Sequence, residues 1–124
     1  MDKQSLLSDS KISFDDFQKV DIRIGTVIKA EVPSWSHWVV RLEIEIGDRE
    51  RKICFSGISK FFKPEDFIGK QFPFVINLEP KKIGPEKDFS EVMMIMACPG
   101  GDDNNIAPVL FKLQKKVPNG TKVF

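Results

Sequence analysis

The residues best placed to do chemistry in this chain lie between Phe72 and Met96, in FPFVINLEPKKIGPEKDFSEVMMIM. Two short apolar runs, Phe72 to Leu78 and Val92 to Met96, flank a polar connection that carries Lys81, Lys82, Gly84, Pro85, Lys87 and Asp88. The pattern predicts a strand, a basic loop and a second strand. A strand that finishes on Asn77, followed by a loop that delivers Ser90, places an amide, ammonium groups and a hydroxyl at one mouth of a small sheet. Such a set offers charge and hydrogen bonds rather than bond-breaking groups. It suits a polyanion or an extended polar chain.

Other candidates are scattered. Arg23 alternates against Ile22 and Ile24, so it is a surface charge or a member of a polar site. Ser56 and Gly57 at the end of a strand allow close backbone approach, and Lys60 closes the same segment. The loop Pro33-Ser34-Trp35-Ser36-His37-Trp38 holds both tryptophans, which either plug a barrel end or subunit seam or offer a stacking platform. Trp38 is expected on the inside and Trp35 on the surface, as the stacking candidate. Cys54 and Cys98 lie outside any CxxC spacing and His37 is the sole histidine, so neither a zinc site nor a cofactor is expected. The cysteines read as small core or half-buried residues of a reducing compartment. There is no paired carboxylate, no nucleophile with a base and no phosphate-cradling glycine loop, which argues against an enzyme.

The elements that must position these groups are short. At 124 residues and 14.2 kDa the chain makes one domain. No apolar run approaches the roughly 20 residues of a membrane span, and the N-terminus lacks a signal-type apolar stretch, so the expected compartment is the cytoplasm. With 19 Lys+Arg against 18 Asp+Glu the net charge is +1, and any nucleic-acid site must be a local patch. Residues 1–12 are polar and aperiodic and read as an N-terminal arm. Ser13 and Asp16 have capping-box spacing, which predicts one helical turn that lids a barrel end.

Period-two alternation begins at Val20, with Gly25 marking a bulge or bend. It returns over Val40 to Ile46, turns at Gly47-Asp48, and pairs with Arg51 to Phe55 as a hairpin. Pro64, the acids behind it and Gly69 predict a second, one- to two-turn helix. Pro73 confines the Gln71 to Leu78 strand to an edge or its own start. Val92 to Met96 is apolar on both faces and reads as a central strand. Strand candidates follow at Ala107 to Leu113 and Lys122 to Phe124. The sum is an all-β chain: a five-stranded OB-fold barrel over 13–97 with short helices, and a 98–124 extension of the same domain that adds terminal strands.

Phe17-Gln18-Lys19-Val20-Asp21-Ile22-Arg23-Ile24-Gly25, Ser56-Gly57-Ile58, Lys63-Pro64-Glu65, Gly69-Lys70 and Asn77-Leu78-Glu79-Pro80-Lys81-Lys82 occur in this order. Together they resemble the tRNA-binding domain family, found as a small stand-alone bacterial protein, appended to methionyl- and phenylalanyl-tRNA synthetases, and in a synthetase-associated cytokine precursor. The resemblance implies an OB barrel and an RNA surface drawn from Arg23, Ser56, Asn77, Lys81, Lys82 and Ser90, to which Lys60 is added as a further candidate, with tRNA and an aminoacyl-tRNA synthetase as partners. Two stretches depart from the family pattern. The loop from Val32 to Trp38 replaces His-Pro-x-Ala-Asp-Lys-Leu, and Ser90-Glu91-Val92-Met93 replaces Ser-x-Gly-Met-Leu. Ser90-Glu91-Val92, Pro99-Gly100 and the ending Val117 to Val123 are similar to the CsaA branch of the family. That branch implies a protein-export chaperone for unfolded precursors and a homodimer built on its terminal segments.

Overall fold

A computed structural model of the chain describes residues 10–86 and 88–124. Most of the arm expected over 1–12, and Lys87 of the basic connection, lie outside the described residues. Helix α1 covers Phe14–Gln18, and its N-cap Ser13 hydroxyl accepts from the Asp16 amide at 3.0 Å. The strands are β1 (Ile22–Glu31), β2 (Val40–Glu45), β3 (Arg51–Ser56), β4 (Gln71–Val75), β5 (Lys81–Ile83), β6 (Asp88–Ser90), β7 (Met93–Met94), β8 (Met96–Ala97), β9 (Val109–Leu110) and β10 (Lys122–Val123). Among the described residues no helix is long and apolar enough to cross a membrane.

The main sheet runs β3-β2-β1-β4-β7, all antiparallel, and curls into a nearly closed five-stranded barrel of OB type. Its organiser is β1. One edge pairs with β4, from Ile22 opposite Val75 to Thr26 opposite Gln71, while the other edge is shared by β10 at Ile22 and Arg23 and by β2 from Thr26 onward. The alternation read from Val40 to Ile46 holds: Val40, Leu42 and Ile44 are fully buried, facing Cys54, Phe72 and Phe74 in one core. Phe67, on the 3-10 turn Pro64–Asp66, plugs that core between Phe62 and Phe72, with ring centroids 5.8 and 6.0 Å away.

Closure does not come from a ladder between the outer strands. Instead the Ile53 amide donates to Glu91 Oε1 at 2.9 Å, the Glu91 amide donates to the Ile53 carbonyl at 2.8 Å, and the Phe55 amide donates to Ser90 Oγ at 3.1 Å. Two side chains and one backbone amide satisfy the free edge of β3 where a strand would otherwise be needed.

Several expectations change. Gly25 is required, but not for the bulge, which falls between Val27 and Lys29. A Cβ on Gly25 would lie 2.8 Å from Ile46 Cγ2 and 3.2 Å from the Glu45 carbonyl, so the glycine admits the crossing end of β2. Pro73 sits inside the barrel order, not at an edge. It lies opposite Ile24, whose own amide and carbonyl face Thr121 and Gly120, so β1 asks no hydrogen bond of the proline. On its other side only the Pro73 carbonyl is used, by the Ile95 amide at 3.0 Å.

The Val92 to Met96 segment is terminal rather than central. It breaks into β7 and β8, and Met93 is half exposed. The Gln71 strand stops at Val75, the Ala107 to Leu113 candidate contracts to β9, and the second helix is a single 3-10 turn. Helix α1 is not a lid, because none of its residues is buried and Phe14 and Phe17 stay exposed. The basic loop is itself a hairpin, β5 paired with β6.

Glu91→Ala removes the acceptor of a part-buried amide at the seam. We expect a loss of about 1–3 kcal/mol in urea unfolding, with Glu91→Gln, which keeps a carbonyl acceptor, costing less. Equal losses for the two variants would show that the bond from Ile53 does not hold the seam.

Candidate nucleic-acid interface

The β5–β6 hairpin presents Lys81 and Lys82 to solvent, opposite Ser90 and Phe89 respectively. Neither ammonium has a hydrogen bond or ion pair among the described residues. Successive residues of a strand face opposite sides, so directly paired residues share one. Lys82 and the exposed Phe89 therefore lie on the same face of the ribbon. Phe89 was not singled out by sequence, since three residues of β6 are too few for alternation to show.

The hairpin is held from below. Its turn residue Gly84 has φ +75°, and a Cβ there would meet the Trp35 ring at 2.5 Å, so the indole lies directly on the glycine. Trp35 also packs on Phe55, with centroids 6.1 Å apart. Arg41 Nε donates to Asp88 Oδ2 at 2.6 Å, with its guanidinium 6.0 Å from the Phe55 centroid. The Asp88 bond raises the Arg41 pKa further, so the guanidinium stays charged. Arg41 was also missed by sequence, where it looked like one more polar residue of an alternating strand.

The tryptophan assignment is thus reversed. Trp35 is half-buried, and Trp38 is 62% exposed. The cause is local: the buried Ser36 hydroxyl accepts from the Trp38 and Val39 amides at 3.1 and 3.2 Å, a turn after which Val39 and Val40 enter the core. Trp38 stands over Gly57 and lines a cleft of about 430 Å³ with Phe61, Met96 and Ile106. Lys60 flanks this cleft, 5.5 Å from the Phe61 centroid, and donates to Asn105 Oδ1 at 2.8 Å.

The other sequence candidates are spread over the barrel. Ser90 lies on the hairpin, where its hydroxyl accepts from Phe55 and donates to the Val92 carbonyl. Ser56 ends β3, opposite Val40. Asn77 clamps the approach to β1: its Nδ2 donates to the Lys19 carbonyl at 2.6 Å and its Oδ1 accepts from the Asp21 amide at 3.0 Å. Arg23 donates to Asp21 Oδ1 at 2.7 Å and to the Gly120 carbonyl at 3.1 Å, and Lys122 approaches the same carboxylate at 3.5 Å. A ligand that used Asn77, Ser90 or Arg23 would compete with these bonds.

Arg23 and, behind it, Lys122 hold the Asp21 carboxyl below its ordinary value. Cys54 is a buried thiol pushed up to about 11 by desolvation, while Cys98 is exposed. Among the described residues no three His, Cys, Asp or Glu side chains gather as a metal site.

A small antiparallel barrel that carries unpaired lysines on a locked hairpin is a binding module. Residues 22–122 match the tRNA_bind family, described as "Putative tRNA binding domain", and the chain belongs to that family. It is 41% identical over 110 residues to a methionine–tRNA ligase of Methanothrix thermoacetophila, covering 88% of this chain and 15% of that protein. It is 34% identical over 113 residues to methionine–tRNA ligase 1 of Bacillus anthracis, covering 91% and 16%. The chain thus spans about a sixth of these relatives. Among solved structures it is similar to a MetRS-related protein from Pyrococcus horikoshii, at 30% identity and TM-score 0.80, over 93% of this chain and 99% of that one. The chaperone CsaA of Bacillus anthracis matches at 35% identity and TM-score 0.77, over 93% and 100%.

Asp21→Asn should cost about 1 kcal/mol at neutral pH, kept small because Arg23 is 35% exposed and screened. A carboxyl with a lowered folded pKa stabilises fully above its unfolded value of about 3.9 and loses that contribution as pH falls through the folded value. The melting temperatures of variant and parent should therefore converge below about pH 4. A gap that persists at pH 2 would assign the loss to packing.

Proposed function

We propose that the chain is a non-catalytic, cytoplasmic tRNA-binding module whose primary contact is the β5–β6 hairpin. The observation that carries this reading is the pair Lys81 and Lys82, exposed and unpaired on a ribbon fixed by Trp35 beneath Gly84 and Arg41 on Asp88, in a chain of the tRNA-binding family. Lysines placed this way hold phosphates without sequence preference, and Phe89 beside Lys82 offers a face on which a base can stack. Arg23, Ser56, Lys60, Asn77 and Ser90 extend the proposed surface, with Asn77 and Ser90 reaching RNA only by exchanging their present partners. Methionine–tRNA ligases among the relatives support a synthetase as a partner, either fused or associated.

A second reading is a CsaA-like chaperone for extended, unfolded precursors. The cleft under Trp38 favours it, being apolar through Phe61, Met96 and Ile106 and open to solvent. Titration with total tRNA and with an unfolded export precursor separates the two. Capture of the precursor alone would replace the RNA reading.

Lys81→Ala with Lys82→Ala should weaken tRNA binding and lower the log–log salt slope by about 0.7–0.9 for each lost phosphate contact. Phe89→Ala should cost about 1–3 kcal/mol with the slope unchanged. A parental slope in the double-lysine variant would remove the hairpin from the site.

We also propose a homodimer that covers the exposed Val109, Phe111 and Phe124. Val123 contributes less than expected, since it pairs with Ile22 of its own chain. Light scattering at micromolar concentration should give twice the 14.2 kDa chain mass. A monomer would overturn the dimer.

A further inference from the structure

The near-zero net charge hides a strong asymmetry. Residues 104–124 contain Lys112, Lys115, Lys116 and Lys122 and no Asp or Glu, so this tail carries +4 of a whole-chain +1 and leaves −3 for residues 1–103. Three of these lysines meet Lys70 around a single cleft of about 360 Å³, floored by Phe72 and Leu113, and no carboxylate lines it. Lys70, Lys112, Lys115 and Lys116 are exposed, and none has a hydrogen bond or ion pair from its ammonium among the described residues. Among the described residues, like charges are gathered here without a counter-charge.

The tail is also fixed in place. On one side of Lys112–Lys116, β9 pairs with β8, Met96 opposite Leu110. On the other, the Gln71 side chain grips Val117 at both ends of its backbone: Nε2 donates to the Val117 carbonyl at 2.7 Å, and Oε1 accepts from the Val117 amide at 3.1 Å. The same Nε2 reaches Asn119 Oδ1 at 3.1 Å. A glutamine at the start of β4 thus pins the backbone at one end of the basic segment, as β9 does at the other.

We propose that this cleft is a second phosphate-binding site, which engages the backbone of the RNA held by the β5–β6 hairpin; the proposal rests on the RNA-binding reading above. The volume falls within the roughly 300–1,000 Å³ of small-ligand clefts, large enough for a phosphodiester and its sugar rather than an ion alone. The site lies apart from the hairpin along β1. Thr26, midway along the strand, is opposite Gln71 of the cleft, and Glu31, its last residue, is opposite Arg41, which holds the hairpin. Five residues of strand, at about 3.3 Å each, separate them by roughly 16 Å. A mononucleotide cannot occupy both sites, whereas one folded RNA can, so the second site selects for length and adds no base preference.

The test is a tRNA titration at several salt concentrations with four proteins: the parent, Lys81→Ala/Lys82→Ala, Lys112→Gln/Lys115→Gln/Lys116→Gln, and the same three tail positions replaced by Arg. The Gln variant should melt like the parent and lose about two units of log–log salt slope, at about 0.7–0.9 per contact. That amounts to about a hundredfold weaker binding at 0.1 M salt when affinities are matched at 1 M. The Arg variant should restore the parental slope, which a purely structural role would not require. A parental slope in the Gln variant, with a reduced slope in the hairpin variant, would overturn the second site and leave the RNA reading standing. Failure of the parent to bind tRNA at all would overturn both.

Discussion

Everything in this barrel depends on how the free edge of β3 is satisfied. The five-stranded sheet is not closed by backbone pairing alone, since the outermost strand, β7, has only two residues. The gap is bridged by Ser90 and Glu91, whose hydroxyl, carboxylate and amide take up Phe55 and Ile53. Since a buried amide without an acceptor costs as much as several surface ion pairs gain, these bonds fix the strand end from which the hairpin emerges. The lysines are positioned by the seam before any ligand arrives.

Charge in this molecule divides into two populations. Arg23, Arg41 and Lys122 are matched to Asp21 and Asp88, partly shielded from water, and hold segments distant in sequence. Lys81, Lys82, Lys112, Lys115 and Lys116 have no such partner among the described residues. Paired charges of this kind set geometry, and unpaired ones on a rigid support remain free to replace counterions on a polyanion. Net charge, which averages the two, says nothing about either.

The sequence was most legible where a pattern repeats. Alternation over Val40 to Ile46 and the Gly47 turn specify a hairpin because each of several residues votes for the same face. It was least legible where an element is short or its reason lies far along the chain. β5 and β6 have three residues each, too few for a period, and so a hairpin read as a loop and Phe89 went unnoticed. Pro73 is tolerated inside the sheet because Ile24 turns its polar groups to Gly120 and Thr121, nearly a hundred residues later. Asn77 and Ser90 stood out as polar residues at a mouth and Arg23 as a surface charge or member of a polar site, and their hydrogen bonds are ones no local spacing reveals.

The two departures from the family pattern also become one change when seen in three dimensions. Trp35, in the altered loop, packs on Phe55 and under Gly84. Glu91, in the altered Ser90-Glu91-Val92-Met93 stretch, bonds Ile53, two residues from Phe55 on the same strand. Both new side chains brace the base of the hairpin from β3, one through aromatic contact and the other through hydrogen bonds. A large indole is tolerated only because Gly84 has no Cβ, and an acid beside Ser90 is tolerated only because Ile53 presents an amide. Neither substitution therefore sets charge against the lysines. The altered loop thus supplies a rigid support, Trp35, beneath the hairpin that carries Lys81 and Lys82.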